Sequence, residues 1–252
     1  MEQNHIPRAS SDHPKIQGNL RFPETSWSLL GRVTTSSSEL NPATNEFTER
    51  YYAGVRAYIS AIIHDGREAE ELTQQFFMAV ILSGRLLRGA DRAKGRFRPY
   101  LKQAIRNFVI DEHRRRTRRN EEGSDSALHL DAVKRGWDAI SDERLQSSDS
   151  ALLQAWAQSL VRIALARVKA MSDEKGQQVH FQLFARRFLG DSDSLPGWNE
   201  IGEPFNLDEK AARSRAEVVV RRFRAVLWDL IATDIGAARN FDDELRNLIA
   251  IL

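Results

Sequence analysis

The sequence predicts an all-α protein: two helical domains joined by an acidic linker, the second containing a helix-turn-helix. Three observations carry that expectation. Apolar residues recur at the three-and-four spacing of buried helix faces, and no stretch of useful length alternates as a strand would. A polar, acidic segment interrupts the pattern between residues 120 and 150. Further on, a short helix signal, a turn and a capped long helix follow one another.

The elements follow in order. Residues 1–20 are polar and rich in Pro, Ser and Asn, and are expected to be disordered. A first helical domain spans 21–119. Within it Phe47, Tyr51, Val55, Tyr58, Ile59 and Ile62 mark one amphipathic helix, and Leu72, Phe76, Phe77, Val80 and Ile81 a second. The segment LRGADRAKGR then reads as a glycine-punctuated basic loop. Residues 97 to 119, FRPYLKQAIRNFVIDEHRRRTRR, form a third helix with Leu101, Ala104, Ile105, Phe108 and Val109 on its apolar face, and Phe97 and Tyr100 share that spacing.

Arg98, Lys102 and Arg106 stand four apart on that helix and so stack as one cationic stripe, which runs into Arg114, Arg115, Arg116, Arg118 and Arg119. A helix dipole favours cations at its C-terminus by about 0.3–1 kcal/mol each, but only within the last turn. It accounts for two arginines and not for the cluster.

Residues 120–150 read as the linker, with EEGSDS near its start and SDERLQSSDS at its end. The second domain, 151–236, opens on a long amphipathic helix carrying Leu152, Leu153, Trp156, Leu160, Ile163, Ala164, Val168 and Met171. Phe181, Phe184 and Phe188 belong to the next helix. Trp198 to Gly202 should form a short helix, Phe205-Asn206-Leu207 a turn, and Asp208 the N-cap of a helix reaching Ile231. Asn206 suits the turn because Asn tolerates left-handed backbone. Residues 237–252 form a C-terminal extension.

Composition narrows the function. The chain has 252 residues, a net charge of +2 and no cysteine, so disulfides and thiolate metal sites are excluded. No apolar run approaches the roughly 18–20 residues that cross a bilayer, and the N-terminus lacks the apolar stretch of a secretory signal. A soluble, cytoplasmic protein is expected. The distribution of charge is more informative than its sum. Thirteen Lys/Arg face three acids between Arg85 and Arg119, whereas eight acids face three bases between Asn120 and Ser150. A localised polyanion-binding surface between acidic segments is the physical reading.

Enzyme signatures are missing. The six histidines show no H-E-x-x-H spacing, and there is no phosphate-binding glycine loop or serine elbow. Asp191-Ser192-Asp193 resembles the start of a calcium loop, but Pro196 and Gly202 occupy the positions that need glycine and glutamate. Glu70 and Glu71 are adjacent on a helix and so point about 100° apart, which suits a solvated face better than a catalytic pair. Neither enzyme activity nor a cofactor or metal is expected. On the last long helix, Lys210, Arg213, Ser214 and Arg215 occupy the first turns, where a recognition helix meets the major groove.

The order of these parts resembles a bacterial RNA polymerase sigma factor of the extracytoplasmic-function type, which keeps only the second and fourth conserved sigma regions. DGREAEELTQQFF, from Asp65 to Phe77, is similar to the family's D-x-x-D/E-A-E-D-L-T-Q-E-x-F. FRPYLKQAIRNFVIDEHRRR is similar to F-R-x-W/Y-L-x-x-I-A-R-N-x-x-x-D-x-x-R-R. WNEIGEPFNLDEKAARSRAEVVVRRFRAVL resembles the family's helix-turn-helix, with Gly202 in place of the usual alanine. The ends, FPETSWSLL and DDELRNLIAIL, resemble a less studied subgroup with N- and C-terminal extensions.

The resemblance implies partners and roles. Glu70, Glu71, Gln74 and Gln75 would meet the clamp helices of the largest subunit of core RNA polymerase, whose second-largest subunit offers its flap to the second domain. Arg96, Phe97, Arg98, Tyr100, Lys102, Arg106, Asn107, Arg114 and Arg115 would hold −10 promoter DNA. Of these, Phe97, Tyr100 and Asn107 would lie at a pocket for an unstacked base, and core packing is the competing reading for Phe97 and Tyr100. Lys210, Arg213, Ser214 and Arg215 would read the −35 element. An anti-sigma partner is possible in such a family, and no membrane is implied. Two other readings stay open: a stand-alone helix-turn-helix regulator of duplex DNA, and an RNA-binding scaffold using the arginine stripe.

Overall fold

The computed structural model describes residues 26–35, 42–63, 65–83, 85–88, 97–120, 142–190 and 195–235. Among them every regular element is helical and no strand occurs, as the periodicity predicts. In chain order these are α1 (Ser26–Thr35), α2 (Pro42–Ile62), α3 (Gly66–Phe76), a π turn (Phe77–Leu82), α4 (Arg85–Arg88) and α5 (Phe97–Asn120). Then come α6 (Asp142–Glu174), α7 (Gln178–Phe188), α8 (Trp198–Gly202), a 3-10 turn (Glu203–Phe205) and α9 (Glu209–Ile235).

Local chemistry sets the key boundaries. Asp65 caps α3 by accepting from the N–H groups of Arg67 and Glu68, both at 2.9 Å; such a cap contributes about 1 kcal/mol. The π turn follows because Phe76 and Phe77 are both buried although adjacent positions diverge by about 100°. Widening the helix there turns Phe77 and Ile81 inward and leaves Met78 65% exposed.

Two apolar clusters form, and their boundary is not the expected one. The first gathers α1 to α5 around Phe47, Tyr51, Tyr58, Phe76 and Phe97. It also takes Leu152, Trp156, Leu160, Ile163 and Ala164 from α6 and Leu227, Leu230 and Ile231 from the far end of α9. The second comprises Val168, Leu183, Phe184, Ile201, Ala212, Ala216 and Val219. Helices α6 and α9 therefore run through both.

The linker expected over 120–150 needs correcting at its C-terminal end, because residues 142–150 are already helical in α6; residues 121–141 lie outside the described residues. The first half of α6 packs on α2 rather than on the second domain. Gly54 permits this, since a Cβ there would lie 3.2 Å from the Leu152 carbonyl oxygen and 3.6 Å from the Trp156 Cβ. Periodicity had identified the apolar face of α6 but not what it packs against.

The α8–α9 corner forms as the turn residues predict. Asn206 takes the left-handed conformation, with φ 53° and ψ 42°. Asp208 caps α9 by accepting from the Ala211 N–H at 2.7 Å. Pro204 sits in the first turn of the 3-10 segment, where its missing N–H leaves no bond unmade. Gly202 is required sterically: a Cβ would stand 2.7 Å from the Leu207 carbonyl oxygen and 3.1 Å from the Ala212 Cβ.

Candidate nucleic-acid interface

The predicted site residues fall into three groups, each on its own helix. On α5 the stripe is formed, and α6 lies along it. Lys102 Nζ approaches Asp149 Oδ2 at 2.8 Å, and the Arg98 guanidinium lies 4.2 Å above the Trp156 ring. Arg106, half-buried, lies within electrostatic range of Tyr58. Burial pushes the Tyr58 hydroxyl up from its ordinary pKa and the Asp149 charge adds to this, while Ser148, Lys102 and Arg106 pull the other way.

Further round α5, Tyr100 and Asn107 line a cavity of about 190 Å³. Ala79, Val80, Leu86, Ala104 and Phe108 provide apolar wall, and Arg85, Asp111, Glu112 and Arg115 provide charge. Tyr100 donates its hydroxyl to the Leu86 carbonyl at 2.7 Å, which ties α5 to α4, and burial pushes its pKa up. Asn107 accepts from Gln103 at 2.8 Å through its carbonyl oxygen and Arg115 pairs with Glu112 at 2.6 Å.

Phe97 is not in this cavity, which corrects its expected place beside a base pocket. It is 1% exposed, and its ring meets Phe47 at 5.9 Å and Tyr51 at 5.2 Å, both edge to face. Such aromatic pairs belong to a core. Arg114 faces Asp111 at 3.8 Å, and Arg96 lies outside the described residues. Arg116 reaches back to Glu68 at 2.6 Å and so braces the end of α5 against the start of α3. Reasoning from the sequence missed Arg85 and Leu86 as cavity residues. Their signal was their place at the edge of the basic loop, but only the fold brings that edge to Tyr100.

On α3, Glu70 is held by three neighbours: the Tyr52 hydroxyl at 2.5 Å, Arg56 at 2.6 Å and Gln74 at 3.4 Å. The Tyr52 hydrogen bond, helped by Gln74 and Arg56 against some desolvation, keeps its carboxyl below the usual pKa. Glu71 pairs with Arg67 at 3.2 Å, and Glu71, Gln74 and Gln75 are exposed. Met78 and Leu82, 40% exposed, extend this face with apolar surface that the sequence reading did not include.

On α9, Lys210, Arg213 and Ser214 are exposed and Arg215 is half-buried. Arg213 pairs with Glu217 of its own helix at 2.9 Å. Beside this face, burial and then the charges of Arg215 and Arg222 hold the His180 pKa down, which favours the neutral ring. Among the described residues no acidic, His or Cys cluster could hold a metal ion, and no helix is long and apolar enough to cross a membrane.

The α3 face, the α5 stripe and the cavity all fall within one stretch of sequence. Residues 47–119 match the family Sigma-70 region 2. No curated protein and no solved structure matches the chain. The sigma-70 region 2 match supports a sigma-70 family sigma factor, and that family comprises non-enzymatic transcription initiation factors. In that family region 2 serves polymerase binding and −10 recognition, and sigma factors bind core RNA polymerase and promoter DNA. In this chain α2 to α5 make up the matched segment, and α6 to α9 lie beyond it.

Proposed function

We propose that this protein is a bacterial sigma factor of the extracytoplasmic-function type that binds core RNA polymerase in the cytoplasm and directs promoter-specific initiation. One observation carries the reading. The region 2 match coincides with helices that carry two separate surfaces, an acidic and amide face on α3 and, on α5, a cationic stripe with a cavity further round the helix. A polymerase-bound specificity factor needs both. A stand-alone regulator of duplex DNA would have no use for the first.

In this reading Glu71, Gln74, Gln75 and Met78 meet the clamp helices of the largest subunit, with Glu70 held in register by Tyr52 and Arg56. Acidic and amide groups complement a basic partner and favour its encounter. Tyr100 and Asn107 receive a −10 base leaving the stack. The cavity supplies apolar wall from Val80 and Phe108 and hydrogen-bonding groups at Asn107 and Arg115, the combination that holds unstacked bases. Lys210, Arg213, Ser214 and Arg215 meet the −35 element through the α8–α9 corner, in the manner of a helix-turn-helix. Binding of the α6–α9 half to the flap of the second-largest subunit completes the assembly.

The test is co-elution with core polymerase on a sizing column. The parent should form a complex, and Glu70→Lys with Glu71→Lys should weaken it while circular dichroism stays unchanged. Undiminished assembly of the double variant would remove the α3 face from the interface, and no assembly by the parent would favour the stand-alone regulator.

A further inference from the structure

Exposed apolar side chains gather where α7 meets α8. Phe188 and Leu189 are each 46% exposed and Leu195 is 60% exposed. The Phe188 ring meets Trp198 edge to face at 6.2 Å. Arg187, 5.2 Å from the Trp198 ring, donates to the Pro196 carbonyl next to Leu195. These contacts hold the side chains together as one patch. Arg186, 5.1 Å from the Phe205 ring, and Arg187 bring positive charge to this junction, and neither forms an ion pair with a described residue.

Residues 236–252 lie outside the described residues, but their sequence supplies a matching element. In FDDELRNLIAIL, residues 241–252, Phe241, Leu245, Leu248, Ile249 and Leu252 share one face at helical spacing. Asp242 and Glu244 border that face, whereas Asp243, Arg246 and Asn247 stand opposite. A helix striped in this way needs an apolar surface to cover it. We propose that residues 241–252 fold back as a helix onto the Phe188, Leu189, Leu195 and Trp198 patch of the same chain. Such docking needs neither polymerase nor DNA, so it stands apart from the sigma-factor reading. Rings at Phe188, Phe184 and Phe223 pack in a row from the patch to α9, at 5.4 and 6.2 Å. From Phe223 to Ile235 α9 rises about 18 Å, and residues 236–240 extend about 17 Å, so the reach suffices. Met78 and Leu82 offer another exposed apolar surface. Glu71 on that face repels the acidic border of the segment, whereas Arg186 and Arg187 attract it. Asp191 and Asp193 precede Leu195, outside the described residues, so apolar fit is the main attraction and charge the weaker one.

The chain has no cysteine, so a pair of introduced thiols reports on the docking. Leu195→Cys with Leu248→Cys places one thiol in the patch and one on the apolar face of the segment, and the 60% exposure of Leu195 leaves both cores undisturbed. Full-length variants that keep the helical signal of the parent are oxidised with copper phenanthroline at high dilution, without polymerase or DNA, and run on a non-reducing gel. The intrachain link should form several-fold faster than with Leu195→Cys and Asn247→Cys, because docking raises the local concentration of one face only. Leu189→Cys in place of Leu195→Cys repeats the comparison from the other edge of the patch, so a helix lying either way along it is caught. Arg186→Glu should slow the Leu248→Cys link a few-fold, and adding Asp242→Lys with Glu244→Lys should restore it. No intrachain link from either edge, or equal rates for the two faces, overturns the docking. Links formed only between chains make a second copy the occupant and overturn docking in cis.

Discussion

Helices α5 and α9 both carry cations on an amphipathic scaffold, yet the fold treats them differently. On α5, Lys102 and Arg98 are engaged by Asp149 and Trp156 from a helix distant in sequence. On α9, Lys210 and Ser214 are exposed and Arg213 leans on Glu217 one turn along the same helix. A pair four residues apart on a helix surface contributes only about 0.2–0.5 kcal/mol, so Arg213 is readily lent to another anion. Charge pattern shows that a helix can hold a polyanion. Whether that charge is reachable depends on what packs beside it.

The largest expected effect breaks the comparison at its foundation. Trp156→Ala empties a core position shared by α2 and α6, and such truncations cost about 3–5 kcal/mol. Because α6 and α9 pass through both apolar clusters, urea unfolding should remain one cooperative transition with a lower midpoint. Two transitions, only one of them shifted, would show that the clusters behave as separate domains.

A change at the α8–α9 corner comes next. Gly202→Ala forces a Cβ toward the Leu207 carbonyl, and overpacking of that kind costs about 1–3 kcal/mol. In the proposed reading it should weaken duplex binding by α9 and leave polymerase association intact. Arg213→Ala keeps the corner and removes one cation. If that arginine reads a base edge, binding to the cognate element should fall by about 1–3 kcal/mol. If it touches only phosphate, the loss should be equal on all sequences and the salt slope should fall by about one.

On α5, in the proposed reading, the effect should appear only after strand separation. Tyr100→Ala and Asn107→Ala should leave closed-complex formation near normal and lower permanganate reactivity of −10 thymines by roughly tenfold, about 1.4 kcal/mol and within the range for one stacked base. Normal footprints together with a lower melting temperature would make both residues structural.

The smallest effect is electrostatic. Tyr52→Phe removes the hydrogen bond that does most to depress the Glu70 pKa, so the carboxyl should titrate closer to its ordinary range by NMR. A depressed carboxylate contributes stability above its unfolded pKa and loses it as pH falls through its folded pKa. The variant should therefore be less stable than the parent near neutral pH and converge with it in acid.

Much of this molecule was legible because its signals are local. Helix class follows from spacing, the cap at Asp208 from a side chain three residues from the N–H group it accepts from, and the turn at Asn206 from one residue's tolerance of positive φ. The stripe on α5 follows from four-residue periodicity in the same way, whereas the role of the α3 face came only from the family resemblance. Phe97 was not settled by spacing, because a position at the edge of an apolar face can turn toward the core or toward a groove. Phe47 and Tyr51, about fifty residues earlier, decide for the core.

Sequence alone determined that the chain is helical, where its cations lie and which residues cap and turn it, since each depends on atoms within a few residues. The tertiary structure decided that α6 starts at Asp142 and joins the first core, that Arg85 and Leu86 meet Tyr100, and that Asp149 faces Lys102. Apolar attraction has no direction of its own, so a hydrophobic face does not name its partner. Here the missing side chain at Gly54 opens the close approach that seats α6 on α2.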